Sequence, residues 1–488
     1  MTTHHFLAFD LGASSGRAIL GTLENEKLNL TEVHRFTNQM QRIHGHDFWN
    51  IFSLFEELKT GLKKCISDHH IQPESIAVDT WGVDFVHLDK NGQMLSLPFA
   101  YRDSRTNRAM DDLFRLVPKE EVYRQTGIQF MQFNSLFQLF SMVQEDSDLL
   151  KITDRILFMP DALNYLFSGV AKTEFSIAST SQMIVPGACK WKKPLLEKAG
   201  IPTSILGDII LPGQPIGSLT EEVARETGSA QIPVIAVAGH DTASAIASVP
   251  AENENFAYIS SGTWSIFGIE TPQPIISEQT AAMNFTNEGG VEGTTRFLKN
   301  IMGMWLIQEC RRTWANEIDY SWVEMVDLAR NAKPFIYLID PDDSRFLNPG
   351  DMPAAIASFC EETGQGRPAT HAEIIRCIYD SLALKYRFTL DQIRSVSDRP
   401  IEKIHIIGGG ANNHFLNQLT ANVTGLPVVA GPTEATATGN ILMQARALGY
   451  LGSLAAIRKV VRQSFEVTVF SPETGGEWDK AYQTFCNL

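Results

Sequence analysis

The segment Val234-Ile-Ala-Val-Ala-Gly-His-Asp-Thr-Ala-Ser-Ala-Ile-Ala247 joins five apolar residues to a run of small residues through Gly239. The apolar residues predict a short buried strand, and the small residues are compatible with a helix. Asp241 therefore lies at a strand-to-helix junction. In open α/β sheets such junctions lie at the carboxyl ends of strands, where ligands bind. The segment thus predicts an α/β fold with a ligand site near Asp241.

Asp241 has two interpretations that its local sequence leaves open. Asp is a common helix N-cap, because its side chain accepts hydrogen bonds from the first backbone N–H groups. A carboxylate beside a helix N-terminus is also kept ionised by those groups and by the helix dipole. If a substrate hydroxyl can reach it, such a carboxylate can accept the hydroxyl proton.

The length of the chain, 488 residues, predicts more than one domain. A charged segment, Glu252-Asn-Glu-Asn255, follows the predicted helix and separates it from the next apolar run. We therefore predict two domains, at residues 1–248 and 249–488.

The composition excludes several classes of function. The net charge of −15 argues against non-specific binding to nucleic acid and against an anionic membrane surface. No apolar run approaches the roughly 18 residues that a membrane span needs, and the first residues lack a signal-peptide pattern. The six cysteines contain no CxxC pair, as is typical of reduced cytoplasmic thiols. We expect a cytoplasmic protein.

A small, hydroxyl-rich turn follows the first predicted strand, Phe6–Phe9. The turn, Asp10-Leu-Gly-Ala-Ser-Ser-Gly-Arg17, leads into further strand-like residues. Gly and Ser let the backbone approach closely, so a hairpin of this kind can wrap phosphates with N–H groups, although many such turns only reverse the chain. It is not a Walker A motif. Asp10 is a hard oxygen ligand of the kind that Mg²⁺ prefers.

The same layout occurs a second time, at Phe256-Ala-Tyr-Ile-Ser-Ser-Gly-Thr-Trp-Ser-Ile-Phe-Gly268. Here too an apolar run, a Ser/Gly turn and another apolar run follow one another. The repetition predicts two related α/β halves, each with a hairpin, that face one ligand.

Three further positions carry candidate ligand contacts. Gly82 follows Trp81 at a predicted strand end, where the pair suits a sugar or is a core Trp at a bulge. Asn300 is predicted to open a helix, as either its cap or a ligand contact. The run Gly408-Gly-Gly-Ala-Asn-Asn413 lies between a predicted strand and helix, a geometry that suits a nucleotide.

Taken together and in this order, these motifs resemble the FGGY carbohydrate kinases. The resemblance runs from about residue 5 to about residue 450. The strings that carry it are Asp10-Leu-Gly-Ala-Ser-Ser-Gly-Arg17, Asp79-Thr-Trp-Gly-Val-Asp-Phe85, Ala100-Tyr-Arg-Asp-Ser-Arg-Thr106, Gly239-His-Asp-Thr-Ala-Ser244, Ser260-Ser-Gly-Thr-Trp-Ser265, Leu298-Lys-Asn-Ile-Met-Gly303 and Gly408-Gly-Gly-Ala-Asn-Asn413.

The resemblance implies a two-domain actin/hexokinase-like (ribonuclease H-like) ATPase fold with a cleft between the domains. It assigns sugar binding and the catalytic base to residues 1–248, and nucleotide binding to residues 249–488. The implied reaction is phosphorylation of L-rhamnulose at O1 by ATP, giving L-rhamnulose 1-phosphate and ADP in L-rhamnose catabolism. A related kinase acting on L-fuculose or L-xylulose is the nearest alternative. An actin-like ATP-binding switch is an alternative from another class.

The resemblance also assigns roles to individual residues. Asp241 is the implied catalytic base, and Asp10 is the implied Mg²⁺ ligand. The implied sugar-binding residues are Gly82, His240, Asp241, Thr242 and Asn300, and the implied ATP-binding residues are Ala13, Ser14, Ser15, Gly16, Arg17, Thr263, Gln308 and Gly409. The implied partners are a small sugar and ATP, with no nucleic acid or membrane, in a monomer or small homo-oligomer.

Overall fold

The structure, a computed structural model, describes residues 2–473 and 475–488. Within them the strands are, in chain order, β1 His4–Leu11, β2 Ser15–Glu24, β3 Lys27–Thr37, β4 Gln41–Ile43, β5 His46–Phe48, β6 Ser75–Thr80, β7 Phe85–Leu88, β8 Arg155–Phe158, β9 Thr173–Glu174, β10 Ile209–Ile210, β11 Gln214–Ser218, β12 Pro233–Ala236, β13 Phe256–Ser261, β14 Trp264–Thr271, β15 Thr286–Gly289, β16 Thr295–Met302, β17 Lys403–Ile407, β18 Val428–Ala430 and β19 Thr468–Phe470.

The α-helices of the described residues are α1 Ile51–Ser67, α2 Ala109–Leu116, α3 Lys119–Thr126, α4 Ser135–Gln144, α5 Asp148–Ile152, α6 Met159–Ser168, α7 Phe175–Ser179, α8 Lys193–Lys198, α9 Glu221–Thr227, α10 Asp241–Ala247, α11 Glu278–Ala282, α12 Trp305–Trp314, α13 Trp322–Asn331, α14 Met352–Glu362, α15 His371–Val396, α16 His414–Thr424, α17 Ala435–Ala447, α18 Leu454–Ser464 and α19 Trp478–Phe485. Short 3₁₀-helices lie at Ser104–Thr106, Thr203–Ile205, Ser344–Phe346 and Gly409–Asn412. Among these helices, none is both long and apolar enough to cross a membrane.

The chain forms two compact units. The first contains the chain up to Glu252, together with Glu270–Phe297 and Ala435–Phe465. The second contains Asn253–Ile269, Leu298–Glu434 and Glu466–Leu488. The predicted assignment of sugar binding to residues 1–248 and of nucleotide binding to residues 249–488 stays a prediction.

The first unit is built on a six-stranded sheet with the order β11-β12-β6-β1-β2-β3. Strand β1 pairs antiparallel with β2 and parallel with β6. Its side chains alternate between two cores: Leu7 and Phe9 pack with α1 and α6 on one face, and Phe6 and Ala8 pack with α17 and α18 on the other. Both faces of β1 are therefore covered, which explains its uninterrupted apolar run.

The second unit contains most of a seven-stranded sheet with the order β15-β16-β14-β13-β17-β18-β19. Strand β15 and the adjoining ends of β14 and β16 belong to the first unit. Strand β13 pairs antiparallel with β14 and parallel with β17, and β18 continues the parallel part. Helix α15 is the longest helix of this unit, with 26 residues.

The predicted repetition is confirmed at the level of topology. In the first unit the β1–β2 hairpin lies beside parallel strands β6 and β12, and antiparallel β11 ends the sheet. In the second, the β13–β14 hairpin lies beside parallel strands β17 and β18, and antiparallel β19 ends the sheet. The predicted strand at residues 234–238 is β12, Pro233–Ala236.

Helices α10 and α17 of the first unit pack at unusually short range. Gly439 of α17 lies against the backbone of α10, where a Cβ atom would overlap the carbonyl oxygen of Ser244. The Ser248 hydroxyl donates to the Ala435 carbonyl at 2.9 Å, which joins the same two helices at another point. Because Asp241 is the first residue of α10, this packing also fixes its position.

We predict that Gly439→Ala lowers the free energy of unfolding by about 1–3 kcal/mol, because the added methyl group must displace backbone rather than a flexible side chain. Urea unfolding followed by circular dichroism measures the change. Gly452→Ala is the matched control, since nothing lies within 4 Å of a Cβ atom there. Equal stabilities of the two variants would contradict the role of Gly439 in the contact.

Candidate active site

The carboxyl ends of β1 and β6 bring two carboxylates side by side. Parallel pairing puts Asp10 opposite Asp79, and antiparallel pairing puts Asp10 opposite Arg17 of β2. The Arg17 guanidinium Nη2 donates to Asp10 Oδ2 at 2.6 Å. The predicted Mg²⁺ ligand Asp10 therefore lies in an ion pair with a predicted ATP contact.

The predicted phosphate-binding turn forms between β1 and β2. Gly12 N–H donates to the Ser15 carbonyl at 2.9 Å, and Asn38 donates to the Gly12 carbonyl at 3.0 Å from its side chain. Ala13 and Ser14 are exposed at the tip. The turn is thus held by backbone and amide contacts that leave its tip open to a ligand.

Asp79 is fully buried beside this turn. Asn440 donates to Asp79 Oδ2 at 2.6 Å, whereas Oδ1 has no hydrogen-bond partner among the residues that the structure describes. Burial raises the pKa of the Asp79 carboxyl well above its usual value, and the nearby charges of Asp10 and Asp241 raise it further. Asp10, Asp79 and Asp241 of the first unit therefore lie near enough for their charges to interact.

The loop that carries Asp241 is held by buried groups on both sides. Thr80 N–H at the end of β6 donates to the Gly239 carbonyl at 2.9 Å. On the other side, the buried carboxylate of Glu174 accepts the Gly239 N–H at 2.9 Å and the Ser176 hydroxyl at 2.6 Å. The backbone before Asp241 is therefore fixed at both its N–H and its carbonyl.

Asp241 is the first residue of α10, and His240 occupies the N-cap position. The carboxylate of Asp241 accepts hydrogen bonds from the N–H and hydroxyl of Thr242, and 32% of its side chain is exposed. Burial raises the pKa of Asp241 above its usual value, His240 lowers it, and the charge of Asp10 raises it. The N-cap interpretation is therefore wrong, and a partly exposed carboxylate remains at the helix start.

Gly82 lies against the same loop. A Cβ atom at this position would be 3.5 Å from His240 Nε2 and 3.2 Å from the Thr180 hydroxyl. The structure thus brings together four predicted sugar-binding residues of the first unit: Gly82, His240, Asp241 and Thr242.

His240 lies between two carboxylates and one guanidinium. Its Nε2 is 3.4 Å from Asp241 Oδ1, and its Nδ1 is 3.5 Å from Glu288 Oε2 and 3.3 Å from Arg296 Nη2. Arg296 Nη2 is also 3.0 Å from Glu288 Oε2, and the Arg296 side chain is fully buried. Burial alone would raise the pKa of Glu288, but Arg296 and His240 outweigh it and hold that pKa below its usual value.

In the second unit, the turn between β13 and β14 contacts the start of α12. The Thr263 carbonyl accepts the N–H of Gly303 at 3.2 Å and that of Trp305 at 3.1 Å. The Thr263 hydroxyl lies 3.4 Å from Gln308 Oε1. Two predicted ATP contacts, Thr263 and Gln308, therefore lie side by side.

The glycine run after β17 packs directly on β13. A Cβ atom at Gly410 would overlap the Ser261 side chain, and one at Gly408 would be 3.3 Å from the Ser261 carbonyl oxygen. Gly408 also has a left-handed φ of 79°. By contrast, a Cβ atom at the predicted ATP contact Gly409 would meet nothing within 4 Å, so that position is open.

The predicted helix start at Asn300 is wrong. Asn300 lies within β16, and the helix begins at Trp305. The short run around Asn300 mixes apolar and polar residues, so its hydrophobic periodicity does not distinguish a helix from a strand. Pairing with a distant strand determines its structure. Asn300 is half-buried in that strand.

Comparison with known proteins identifies the family of this chain. The model described as the FGGY family of carbohydrate kinases, N-terminal domain, matches residues 5–247, and the model of the C-terminal domain of that family matches residues 257–448. The chain belongs to the FGGY family of carbohydrate kinases. Its fold is accordingly the two-domain actin/hexokinase-like fold of that family, and ATP is the co-substrate of this kinase.

Relatives over the full length are named rhamnulokinase. One from Bacteroides thetaiotaomicron is 48% identical, with 99% of this chain and 99% of the relative aligned. Another from Bacillus subtilis is 42% identical over 96% of this chain and 95% of the relative. The two alignments therefore cover nearly the full length of this chain and of both relatives.

Solved structures confirm the fold. A gluconate kinase from Lactobacillus acidophilus superimposes with a TM-score of 0.83 at 15% identity, covering 100% of this chain and 97% of that one. A Plasmodium falciparum glycerol kinase with ADP superimposes with a TM-score of 0.79 at 14% identity, covering 99% and 97%.

Three residues of this FGGY kinase site, Glu174, Glu288 and Arg296, lie outside the sequence motifs from which the site was predicted. Glu174 is a single acidic residue far from the others in sequence, and nothing local distinguishes it. Arg296 does carry a signal, because a charged residue inside the strand-like run Thr295–Leu298 predicts a buried ion pair. Its partner, Glu288, becomes evident only in the folded chain.

We predict that Glu288→Ala lowers the free energy of unfolding by about 3–5 kcal/mol, because it leaves the Arg296 guanidinium buried without its counter-charge. Glu32→Ala is the matched control, since Glu32 pairs with Arg35 on the surface and such pairs are worth about 0–1 kcal/mol. Denaturant unfolding of both variants provides the comparison, and a loss no larger than that of the control would contradict the prediction.

Proposed function

We propose that this FGGY kinase phosphorylates L-rhamnulose at O1, giving L-rhamnulose 1-phosphate and ADP in L-rhamnose catabolism. The observation that carries the proposal is the partly exposed Asp241 carboxylate, placed with Gly82, His240 and Thr242 at the start of α10. Two relatives named rhamnulokinase, 48% and 42% identical over nearly the full chain, support the choice of sugar.

In the proposed reaction Asp241 is the general base. The O1 hydroxyl proton passes to the Asp241 carboxylate, O1 forms a bond to the γ-phosphorus of ATP, and the bond from that phosphorus to the β,γ-bridging oxygen breaks to release ADP. Burial raises the pKa of Asp241 above its usual value, which makes the carboxylate a better proton acceptor. The hydrogen bonds from Thr242 orient it.

The sugar contacts follow from the same geometry. Gly82 presents bare backbone beside His240 Nε2, so a ligand hydroxyl can approach both. Thr242 and Asn300 supply further polar groups in this proposal. Since phosphoryl transfer needs alignment more than covalent chemistry, these contacts serve to hold O1 in line with the phosphate.

The nucleotide contacts are proposed at two turns. In the first unit, the backbone of Ala13–Gly16 and the Arg17 guanidinium meet phosphate charge. In the second unit, Thr263, Gln308 and the open position at Gly409 meet the remainder of ATP. The close packing of Gly410 on Ser261 supports this role, because it fixes the glycine run relative to the turn.

Mg²⁺ fits the carboxylates of the first unit. Among residues 2–473 and 475–488, no group of three or more His, Cys, Asp or Glu residues could hold a metal by itself. However, Mg²⁺ in kinases takes one or two carboxylates together with substrate phosphates and water. Asp10, with the unpartnered Asp79 Oδ1 beside it, provides that donor set. When bound, the ion would neutralise phosphate charge.

The proposed setting is the cytoplasm, with the sugar and ATP as partners of a monomer or small homo-oligomer. The six free cysteines support a cytoplasmic setting, and the net charge of −15 argues against nucleic acid and anionic membranes as partners. Neither nucleic acid nor a membrane has a place in the reaction.

We predict that Asp241→Asn lowers turnover by about 10²-fold or more while ATP binding is retained, because the amide cannot accept the O1 proton. Coupled ADP release measures turnover, and calorimetry measures ATP affinity. Asp148→Asn is the control, since that side chain is 97% exposed. Near-normal turnover of the Asp241 variant would remove this residue from the mechanism.

We also predict that L-rhamnulose has the highest kcat/KM in a panel with L-fuculose and L-xylulose. The pocket must discriminate by hydrogen bonds to individual hydroxyl groups, and a missing or misplaced hydroxyl leaves a protein group unpaired. The panel is measured by ADP release at fixed ATP. Higher kcat/KM for either of the other ketoses would overturn the substrate assignment.

A further inference from the structure

The backbone just after Gly82 is strained. Val83 has a φ of +69°, and Asp84 N–H donates to the Gly82 carbonyl at 2.9 Å. The segment is therefore a γ-turn of the rarer, strained kind, with a β-branched residue in the left-handed region. Such conformations persist only where surrounding contacts impose them, and they concentrate at ligand sites.

Three side chains on two segments, α4 and the residues after α7, impose this turn. The Ser135 hydroxyl donates to the Val83 carbonyl at 2.5 Å, and Gln138 Nε2 lies 3.4 Å from the same oxygen. On the opposite side, Val83 N–H donates to the Thr180 hydroxyl at 3.3 Å. Both polar groups of the Val83 backbone are therefore bound by buried side chains, which hold the turn against its own strain.

The carboxylate of Asp84, which is 1% exposed, collects four donors. Trp49 Nε1 donates to Oδ2 at 2.7 Å, Trp81 Nε1 at 2.9 Å and Tyr101 N–H at 3.1 Å, while Gln138 Nε2 donates to Oδ1 at 3.1 Å. The side chain thus orients both indoles and joins them to the turn. Because all four partners are donors, only a side chain that accepts hydrogen bonds on both of its oxygens can satisfy them.

The orientation of Gln138 is itself fixed. Arg105 Nη2 donates to Gln138 Oε1 at 2.6 Å, so the amide must present its NH₂ group to Asp84. Arg105 is in turn 3.7 Å from Asp103. Burial raises the pKa of Asp84 to about 6, an increase that the donors from Trp81, Trp49, Gln138 and Tyr101 limit. The ionised carboxylate is the form that can accept from all four donors.

We propose that Asp84, Gln138 and Ser135 form a positioning set that holds the Gly82–Val83 turn in the shape that receives the sugar. The inference rests on the proposed function, because it takes Gly82 as a sugar contact beside His240. None of the three acts on the reacting atoms. Their contribution is a turn already ordered before the sugar arrives, which avoids an ordering cost on binding.

The first test is Asp84→Asn, which points an amide NH₂ at the NH₂ of Gln138. We expect the KM for L-rhamnulose to rise about tenfold, with kcat and the KM for ATP nearly unchanged. The reason is that the misplaced turn weakens binding of the sugar equally in the ground state and in the transition state. Asp148→Asn, on the surface, is the matched control and should leave all three constants unchanged.

The second test exchanges part of the pattern of donors and acceptors. Gln138→Glu alone opposes two carboxylates and also turns an oxygen toward the Phe133 and Val83 carbonyls, which lie 2.8 Å and 3.4 Å from Gln138 Nε2, so we expect the sugar KM to rise. In the double variant Asp84→Asn/Gln138→Glu, the Asn amide donates to a carboxylate that still accepts from Arg105, so we expect a sugar KM below that of Gln138→Glu alone. A sugar KM no lower in the double variant would contradict the hydrogen bond between residues 84 and 138 as part of the set.

A third variant covers the case in which Asp84→Asn does not fold. Ser135→Ala removes the hydroxyl that binds the Val83 carbonyl and adds no bulk, so it should fold and raise the sugar KM about threefold to tenfold. Unchanged sugar KM in Ser135→Ala overturns the proposal, as does an equal loss of kcat and ATP affinity in Asp84→Asn. If another ketose is preferred, the substrate assignment fails, and the same constants measured with that ketose still decide the positioning role.

Discussion

The strand pairing of the first unit brings negatively charged side chains together, and several contacts of the site offset their repulsion. Parallel pairing of β1 with β6 puts Asp10 opposite Asp79, and Asp241 is near enough for its charge to raise the pKa of Asp79. Convergent carboxylates repel one another, and burial adds to the cost of ionising them. Arg17 on Asp10 and Asn440 on Asp79 offset part of this cost. A cation and a sugar hydroxyl that yields its proton are the partners that such a cluster favours.

The loop before Asp241 is held by buried polar and charged groups in addition to the apolar packing of Val237 and Ala238. Glu174 binds its backbone, while Glu288 and Arg296 lie against the imidazole of His240. Buried ion pairs contribute little net stability, because desolvation opposes their attraction. Their role here is to orient the loop. Hydrogen bonds have preferred distances and angles, so they fix the positions of individual backbone atoms more closely than the packing of methyl groups does. The positioning set around Val83 follows the same logic on the neighbouring segment.

The two units share a topology but not a chemistry. In each, a hairpin lies beside two parallel strands and an antiparallel edge strand. In the first unit the parallel register pairs Asp10 with Asp79, whereas in the second it pairs Ser260 with Ile407. The second unit therefore offers hydroxyls and bare glycine backbone where the first offers carboxylates. This difference supports the proposal that the proton transfer takes place in the first unit.

Local sequence determined the elements of the fold and the place of Asp241. Apolar runs broken by glycine and hydroxyl residues predicted both hairpins and the β12–α10 junction, because burial period and turn chemistry act over a few residues. The local sequence wrongly predicted a helix start at Asn300, because strand pairing with β14 outweighs an ambiguous local pattern there. Only the tertiary structure brought Glu288 and Arg296 to His240, and Gln138 to Asp84. Those partners lie tens of residues apart in the chain, and their hydrogen bonds depend on the packing of separate elements, which no local period encodes.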